Sequence, residues 1–187
     1  EISICGHDNV KEFEDAMRCV GGIIENPEMY KYLTGRQNLE QYARMYPDLP
    51  RERVDEVIRL VRMESRIDDK IAKYSLGMRQ RLGIAQAVLH NPRLLILDEP
   101  INGLDTDGMR IMREILVDIT KNYGCTVVIS SHLLGELQKI ATHYGIIRQG
   151  KMIMEMSADE MDSRAQMFIS LKTSDMDGAY SLLKGKY

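Results

Sequence analysis

From Ser75 onward, the apolar positions of the chain alternate between a helical and a strand-like spacing. Three segments repeat apolar residues at helical spacing, and two short apolar runs lie between them. These patterns predict helix Ser75–Leu89, strand Leu94–Leu97, helix Gly108–Tyr123, strand Thr126–Ser130 and helix Leu134–Ala141. Strands and helices that alternate in this way indicate a mainly parallel sheet flanked by helices, an α/β fold.

The first seventy residues follow a different pattern. Residues Glu1–Cys5 alternate like a strand, and Gly6–Asn9 have the composition of a turn. Residues Cys19–Ile24 predict a second strand, which should end at Glu25-Asn26-Pro27 because proline disfavours continued pairing. Residues Thr34–Lys73 are rich in charge and helix formers, and one apolar helical face is predicted there by Val54, Val57, Ile58 and Val61.

The end of the chain adds a predicted hairpin. Residues Tyr144–Arg148 and Met152–Met156 flank Gln149-Gly150-Lys151, a sequence that suits a tight turn between two strands. Residues Met167–Tyr187 predict one more strand and a short helix around Tyr180–Leu183. No candidate chemistry is found in that last segment.

Composition narrows the class of protein. A chain with 44% hydrophobic and 28% charged residues is an ordinary globular protein, which excludes disorder and collagen-like repeats. The net charge of −3 gives no broad attraction for nucleic acid or an anionic membrane. Apolar runs stay far below the roughly 20 residues that span a bilayer. Because Cys5, Cys19 and Cys125 make an odd number and form no Cys-x-x-Cys pair, we predict reduced, mostly buried thiols in the cytosol.

The strongest candidate chemistry follows the strand Leu94–Leu97. Asp98 and Glu99 lie at its carboxyl end, where open α/β sheets bind ligands. Adjacent strand residues point to opposite sides, so one carboxylate can orient Mg²⁺ while the other positions a water against a terminal phosphate. The alternative is a buried strand that stops at a polar turn, with Asp98 as a cap.

A second candidate is the start of the helix at Ser75. Ser75 occupies the capping position, and Gly77 allows close approach of a ligand to the backbone. Free N–H groups and the helix dipole favour an anion such as phosphate at this end. Simple N-capping remains the alternative.

Together these segments resemble the nucleotide-binding domain of ATP-binding cassette (ABC) transporters, a P-loop NTPase-like fold with a helical subdomain. YSLGMRQR (74–81) is similar to the family's signature motif and LLILDEP (94–100) to its Walker B strand. NGLD (102–105) is similar to its D-loop, and His132 to its switch histidine. The order and separations of these motifs match the family, and the resemblance covers most of Cys19 to Glu155.

The resemblance implies a role for each matching residue. Asp98 would help to hold Mg²⁺, Glu99 would polarise the attacking water, and His132 would contact the γ-phosphate. Asp105 would lie where two nucleotide-binding domains meet. The signature residues Ser75, Gly77 and Met78 would close over ATP bound to the partner domain, so that a head-to-tail dimer encloses two ATP molecules.

Two positions depart from the usual family pattern. Glu25 stands where the Q-loop usually has glutamine, and it is similar to the variant of the bacitracin and lantibiotic type exporters. A carboxylate there would approach the nucleotide and could ligate Mg²⁺; the alternative is a solvated loop residue. In the signature motif, Tyr74, Leu76 and Met78 replace the commonest residues, whereas Ser75 and Gly77 are retained.

The phosphate loop is the largest departure. Only GIIRQGKM (145–152) comes near the pattern GxxxxGK[ST], and Met152 has no hydroxyl for a metal ion. We interpret this segment as part of the hairpin. The resemblance places the true loop upstream of Glu1–Cys5, so the chain is predicted to be incomplete at its N-terminus, to lack Walker A and to be inactive alone.

The predicted organisation is one ABC ATPase domain over residues 1–187. It comprises a helical subdomain at about 28–74, the signature, Walker B, D-loop and switch regions at 75–156, and an extension at 157–187. In the family, the helical subdomain receives the membrane subunits. The tyrosines predicted either to join that contact or to pack inside the subdomain are Tyr30, Tyr32, Tyr42 and Tyr46.

The implied function is an ATP-binding and hydrolysing subunit that drives export of a peptide antibiotic or similar substrate. Its expected partners are membrane-spanning permease subunits and a second nucleotide-binding domain, with no nucleic acid, and its expected place is the inner face of the cell membrane. One alternative is a soluble ABC ATPase that acts on ribosomes or nucleic acid. Another is a non-catalytic fragment.

Overall fold

The computed structural model describes residues 1–24 and 27–164, which form two compact units that divide after Ile140. The first unit contains strands β1 (Ser3–Ile4), β2 (His7–Asp8), β3 (Val20–Ile23), β4 (Leu94–Asp98) and β5 (Thr126–Ser130). Its helices are α1 (Phe13–Arg18), α2 (Gly35–Ala43), α3 (Arg53–Leu60), α4 (Leu76–Ala87), α5 (Thr106–Tyr123) and α6 (Leu134–Leu137), with a 3-10 turn at Ile71–Lys73. The single-domain organisation stays a prediction.

Strands β3, β4 and β5 form a parallel sheet in that order. The register places Ile23 beside Leu97, Leu97 beside Ile129, and Asp98 beside Ser130. The prediction of a mainly parallel sheet is therefore confirmed. Because all three strands run the same way, their carboxyl ends meet at one edge.

The two faces of this sheet differ in burial. Leu95 and Leu97 of the central strand are fully buried in the hydrophobic core, together with Ile115 of α5. On the opposite face, Ile96 is 43% exposed and Val128 is 52% exposed in the part of the chain that the structure describes. Asp98 and Ser130 lie in register with this second face, since side chains alternate along a strand.

Helix α4 lies between the sheet and the helical region. It packs on β3 and on helices α2 and α3. Gly21 of β3 makes the first contact possible, because a Cβ there would lie 2.1 Å from the Ala87 carbonyl oxygen. The helix begins after Ser75, as predicted, and ends at Ala87, two residues before the predicted Leu89.

The carboxyl end of α4 is held by a buried arginine. Arg53 of α3 donates from Nε to the Leu89 carbonyl at 3.1 Å and from Nη2 to the Val88 carbonyl at 2.9 Å. Its Nη1 donates to Glu56 at 3.0 Å, and its guanidinium lies 5.2 Å from the centre of the Tyr123 ring. A cation at this end adds donors to the last carbonyls of the helix and is stabilised by the helix dipole.

We expect Arg53→Met to lower the free energy of unfolding by about 2–3 kcal/mol, because it removes charge-assisted hydrogen bonds and takes from the Leu89 carbonyl the donor that pairs it, whereas the Val88 carbonyl keeps its hydrogen bond from the Asn91 amide. Urea unfolding of the full-length protein measures the effect. Arg51→Met, at an exposed position nearby, is the control and should change stability by about 0.5 kcal/mol or less. Equal losses in the two variants would contradict the assignment.

The helical region between β3 and α4 contains less helix than its sequence predicts. Within 34–73 the structure forms α2, α3 and the 3-10 turn. Helix α2 begins with a capping box, in which the Thr34 hydroxyl accepts from the Gln37 amide and the Gln37 side chain accepts from the Thr34 amide. The predicted apolar face of α3 is buried as expected: Val54, Val57, Ile58 and Val61.

Several predicted boundaries are wrong at the N-terminus and near α6. The predicted strand Glu1–Cys5 is only Ser3–Ile4, and His7–Asp8, predicted as a turn, is its antiparallel partner. Cys5 and Gly6 form the turn with φ of 52° and 90°. Helix α1 was not predicted. Helix α6 ends at Leu137 and not at Ala141; none of its four residues is buried.

The second unit contains a hairpin of β6 (His143–Arg148) and β7 (Lys151–Ser157), followed by α7 (Ala158–Arg164). The strands are antiparallel, with an irregularity at Ile146/Ile147. The hairpin prediction is confirmed, and GIIRQGKM runs through it as strand, turn and strand. The strand and helix predicted within Met167–Tyr187 lie outside the described residues.

Two other expectations concern the thiols and the membrane. All three cysteines are free; Cys125 is buried and Cys19 half-buried, but Cys5 is exposed, contrary to the expectation of mostly buried thiols. Among the helices within 1–24 and 27–164, the structure has none with the length and apolar character to cross a membrane.

Candidate functional site

Two neighbouring carboxylates form the centre of the candidate site. Asp98 is the last residue of β4, and Glu99 is the first residue after it. Glu99 has φ of 48°, a left-handed conformation that is uncommon for a residue with a side chain. The backbone therefore turns sharply between the two acids, and the Glu99 carbonyl accepts a hydrogen bond from the Asn102 amide at 3.1 Å.

His132 lies against Glu99. Its Nδ1 is 2.9 Å from Oε1 and 3.0 Å from Oε2 of the Glu99 carboxylate. His132 is the more exposed of the two, with 61% of its side chain accessible against 33% for Glu99. The structure thus brings together Glu99 and His132, the two residues predicted as catalytic, and leaves the histidine ring open to a ligand.

Ser130 is a site residue that the sequence analysis missed. Its Oγ accepts a hydrogen bond from the Glu99 amide at 2.9 Å and donates one to Asp98 Oδ1 at 2.5 Å. The signal was present in the sequence, because Ser130 and Ser131 precede His132 at the end of a predicted strand. Only the register of β4 and β5 shows that Ser130 is the hydroxyl opposite Asp98.

The loop that carries His132 is held by one local hydrogen bond and by ion pairs of the helix that follows it. Before α6, the Leu133 amide donates to the Ser131 hydroxyl at 3.0 Å. Within α6, Glu136 forms ion pairs with Arg113 of α5 and, at 2.6 Å, with Lys139. These two cations, Lys139 foremost, lower the pKa of Glu136. The loop is therefore fixed to α5 although α6 is short.

The signature segment forms the start of α4. The Ser75 Oγ accepts from the Met78 amide at 3.2 Å, which is the capping bond that its sequence position suggests. A serine hydroxyl that accepts in this way still has its own proton to donate, so capping and phosphate contact are compatible. Gly77 faces Leu104 of the NGLD segment, where a Cβ would lie 3.5 Å from Leu104 Cδ2.

Tyr74 has a packing role in this segment. The side chain is buried, and its hydroxyl donates to the Arg66 carbonyl at 2.8 Å. Burial is the main reason that the pKa of Tyr74 rises to about 12, so the phenol stays protonated and keeps donating. The Tyr74 carbonyl in turn accepts from Arg79 Nη1 at 2.6 Å. The unusual signature residue therefore fixes the start of α4 to the helical region.

Asp105 caps α5 in this structure. Its Oδ1 accepts from the Gly108 amide at 2.9 Å, and this cap explains why the helix begins at Thr106 and not at the predicted Gly108. The NGLD segment also touches the signature segment, because a Cβ at Gly103 would lie 3.1 Å from Leu76 Cδ2. The candidate residues thus form two groups, one around Asp98 and one around Ser75, and the loop 100–105 joins them.

Glu25 lies outside the described residues, so its predicted contact with the nucleotide or metal stays a prediction. Ile23 and Pro27, two residues before and after it, are described by the structure. Ile23 ends β3, and Pro27 packs against α4, where a Cβ at Gly83 would lie 2.7 Å from Pro27 Cγ. Ile23 therefore lies at the same sheet edge as Asp98, and Pro27 lies against helix α4.

The chemistry of this edge suits a magnesium nucleotide. Residues 1–24 and 27–164 contain no group of three or more His, Cys, Asp or Glu that could hold a metal ion. Magnesium at nucleotide sites needs only one or two carboxylates, with phosphates and waters as further ligands. Asp98 supplies one such carboxylate, and the neutral hydroxyl of Ser130 orients it without cancelling its charge.

Comparison with known proteins gives the family. The model of the ABC transporter family matches residues 1–102. An ABC transporter ATP-binding protein of Bacillus subtilis, YhcH, is 48% identical over 82% of the chain and 50% of its own length. The bacitracin transport ATP-binding protein BcrA of Bacillus licheniformis is 38% identical over 98% of the chain and 60% of its own length. The chain belongs to the ABC transporter family, as its motifs predicted.

A solved structure described as the ATP-binding subunit of an ABC transporter gives the same result for the fold. It has a TM-score of 0.71 and 27% identity, over 87% of this chain and 68% of that chain. The predicted ABC ATPase fold is therefore confirmed. The resemblance to the bacitracin and lantibiotic group is also confirmed, since relatives of both kinds match. The chain spans about half to three fifths of the length of several curated relatives.

Proposed function

We propose that the chain is part of a subunit that binds and hydrolyses ATP to drive a membrane transporter. The observation that carries this proposal is the cluster of Asp98, Glu99, Ser130 and His132 at the carboxyl edge of the parallel sheet. Membership of the ABC transporter family supports nucleotide binding and hydrolysis in general.

Each residue of the cluster has a chemical task in this proposal. Glu99 polarises the attacking water with its carboxylate. His132 holds that carboxylate through Nδ1 and meets the terminal phosphate with the exposed side of its ring. Asp98 would hold Mg²⁺, which, when bound, neutralises charge on the phosphates. Positioning and charge stabilisation account for most of the catalysis in phosphoryl transfer.

The signature segment acts on the second nucleotide of a dimer in this proposal. Ser75, Gly77 and Met78 stand at a helix start, where free amides favour an anion. Asp105 lies in the loop that joins this segment to Glu99, so the dimer contact and the hydrolytic carboxylate share one loop. Glu25 would approach the nucleotide from the loop after β3.

The proposed cargo is a peptide antibiotic or a similar molecule, exported through separate permease subunits. The support is the printed name of BcrA, a bacitracin transport ATP-binding protein. We place the subunit on the inner face of the cell membrane, bound to those permease subunits. We also propose that a phosphate loop outside residues 1–187 completes the site, because the near match at 145–152 lies in the β6–β7 hairpin.

The test is steady-state phosphate release by the full-length protein at varied Mg²⁺ and ATP. Saturable, Mg²⁺-dependent hydrolysis is expected, together with co-purification of membrane permease subunits. A protein that fails to bind ATP would refute the proposal. Hydrolysis combined with salt-sensitive binding to ribosomes or nucleic acid would favour the alternative of a soluble ABC ATPase.

The four tyrosines predicted near the permease contact form one exposed pair and one packed pair. Tyr30 and Tyr32 are 51% and 70% exposed, and their ring centres lie 5.9 Å apart. Tyr42 packs against the hydrophobic core, and Tyr46 stacks on His90 at 4.8 Å. Exposed aromatic pairs are typical of protein interfaces, so the first pair is the candidate for contact with the permease.

We expect the double substitution of Tyr30 and Tyr32 by alanine to weaken binding to the permease subunits at least about ten-fold, as for aromatic anchors at other interfaces. Pull-down with purified permease in detergent measures the change. Met45→Ala, which removes another exposed apolar side chain, is the control. A loss confined to the tyrosine variant supports the contact, and unchanged binding removes it.

A further inference from the structure

Ser130 occupies a special position at the edge of the sheet. It is the last residue of β5, and the parallel register pairs it with Asp98, the last residue of β4. Side chains of paired residues lie on the same face of a sheet, close enough to interact. Ser130 therefore reaches the carboxylate of Asp98 directly across one strand spacing.

The Ser130 hydroxyl makes two hydrogen bonds of opposite sense. It accepts from the Glu99 amide at 2.9 Å and donates its proton to Asp98 Oδ1 at 2.5 Å. A hydroxyl has one proton, so the direction of both bonds is fixed. The Ser130 side chain thus connects the backbone of Glu99 with the side chain of Asp98.

The conformation of Glu99 shows what this connection does. A residue with a side chain loses about 1 kcal/mol or more in the left-handed region, and Glu99 has φ of 48°. Its amide is held by Ser130, and its carbonyl accepts from the Asn102 amide. With the backbone held at both ends, the Glu99 carboxylate reaches His132 Nδ1.

We propose that Ser130 is a positioning residue for ATP hydrolysis, which sets the Asp98–Glu99 turn through its two hydrogen bonds. The inference rests on the proposed function. Ser130 orients Asp98 through Oδ1 without adding a positive charge, so the carboxylate keeps its full charge for a cation. At the same time it holds Glu99 in the backbone conformation that brings the carboxylate to His132.

Three variants of the full-length protein separate positioning from a general structural role. Ser130→Ala removes both hydrogen bonds. Ser130→Thr keeps the hydroxyl, and a β-branched residue suits a strand. Thr126→Ala removes a hydroxyl from the same face at the other end of β5, far from Asp98 in the register.

Two measurements are made on each variant. The first is steady-state hydrolysis at varied ATP and Mg²⁺, which separates kcat from KM. The second is hydrogen exchange of the peptide around Glu99 in the nucleotide-free protein, which reports the Glu99 amide without depending on activity. Thermal unfolding of each variant identifies a global loss of stability.

For Ser130→Ala we expect kcat to fall about 10–100-fold, as for the loss of hydrogen bonds to a charged group. The KM for ATP should change less than about three-fold, and the half-saturating Mg²⁺ concentration should rise about ten-fold. Exchange at Glu99 should be faster by about ten-fold. Ser130→Thr should restore each quantity, and Thr126→Ala should change none of them.

Normal hydrolysis and normal exchange in Ser130→Ala would overturn the inference while leaving the proposed function in place. Faster exchange with unchanged kcat would also overturn it, because the hydrogen bonds would then be structural only. Failure of Ser130→Thr to restore activity would point against the hydroxyl as the active group. A wild-type protein without hydrolysis would overturn the proposed function, and the role of Ser130 with it.

Discussion

Replacing Gly21 by alanine is expected to lower the free energy of unfolding of the full-length protein by about 3 kcal/mol, at the upper end of overpacking effects. The added Cβ would lie 2.1 Å from the Ala87 carbonyl oxygen and 3.0 Å from Pro92 Cγ. The closest of these atoms belongs to the backbone at the end of α4, so it cannot move aside as a flexible side chain would. Strand β3 and the signature helix must separate.

The neighbouring glycine provides a matched control for this prediction. A Cβ at Gly22 would lie 3.2 Å from the Ile96 carbonyl oxygen, a contact that a shift of a few tenths of an ångström relieves. Gly22→Ala should therefore change stability by less than about 1 kcal/mol. Urea unfolding curves with equal slopes measure both variants. Similar losses at the two positions would mean that the approach of α4 to β3 does not depend on Gly21.

The sequence predicted the sheet well because its strands are marked by strong local signals. Residues Leu94–Leu97 and Val127–Ile129 are continuous apolar runs between helices, and their pairing follows from the parallel βαβ pattern. The helix cap at Ser75 was predicted from its position in the sequence, whereas the cap at Asp105 was not, and the start of α5 was misplaced for that reason. Where a single residue type fixes a helix start or a buried strand, local physics determines the structure.

The elements that were missed lack such local signals. Helix α1 has six residues, no side-chain cap and one buried residue, so its sequence contains little helical pattern. The strand His7–Asp8 pairs with Ser3–Ile4 through a turn in which Cys5 and Gly6 adopt positive φ. A Cys-Gly pair is not a typical sequence signal for such a turn. Predicted helix 134–141 stops at Leu137, and none of its four helical residues is buried, although Ile140 beyond it packs against the core. These features depend on tertiary contacts.

For the candidate site, the sequence predicted the identity of the residues but not their arrangement. Asp98, Glu99 and His132 were predicted from motifs, whereas their arrangement around one hydroxyl depends on the register of β4 and β5. A sequence shows that Ser130 and Ser131 are adjacent, but not which of them faces Asp98. The structure assigns the first to the carboxylate and the second to the Leu133 amide. Long-range pairing therefore selects between two chemically identical neighbours.

In the proposed function, the hydrolytic step depends on the Glu99 carboxylate as general base. We expect Glu99→Gln to reduce ATP hydrolysis by the full-length protein about 100- to 10,000-fold, the range for loss of a positioned general base. A glutamine side chain keeps an oxygen that can meet His132 Nδ1, now 2.9 Å from Glu99 Oε1, but it cannot take a proton from water. The shape of the site is thus preserved while its basic group is lost.

Nucleotide binding distinguishes this chemical effect from damage to the fold. The affinity of Glu99→Gln for ATP, measured with a fluorescent nucleotide, should stay within about three-fold of wild type. The reason is that a general base acts in the transition state and contributes little to binding of ATP in the ground state. Glu64→Gln, at an exposed position in the turns that follow α3, is the control and should hydrolyse ATP normally. Hydrolysis unchanged by Glu99→Gln would remove Glu99 from the reaction. Loss of binding in parallel with hydrolysis would instead make Glu99 a binding residue, since only a selective loss of kcat identifies the carboxylate that activates water.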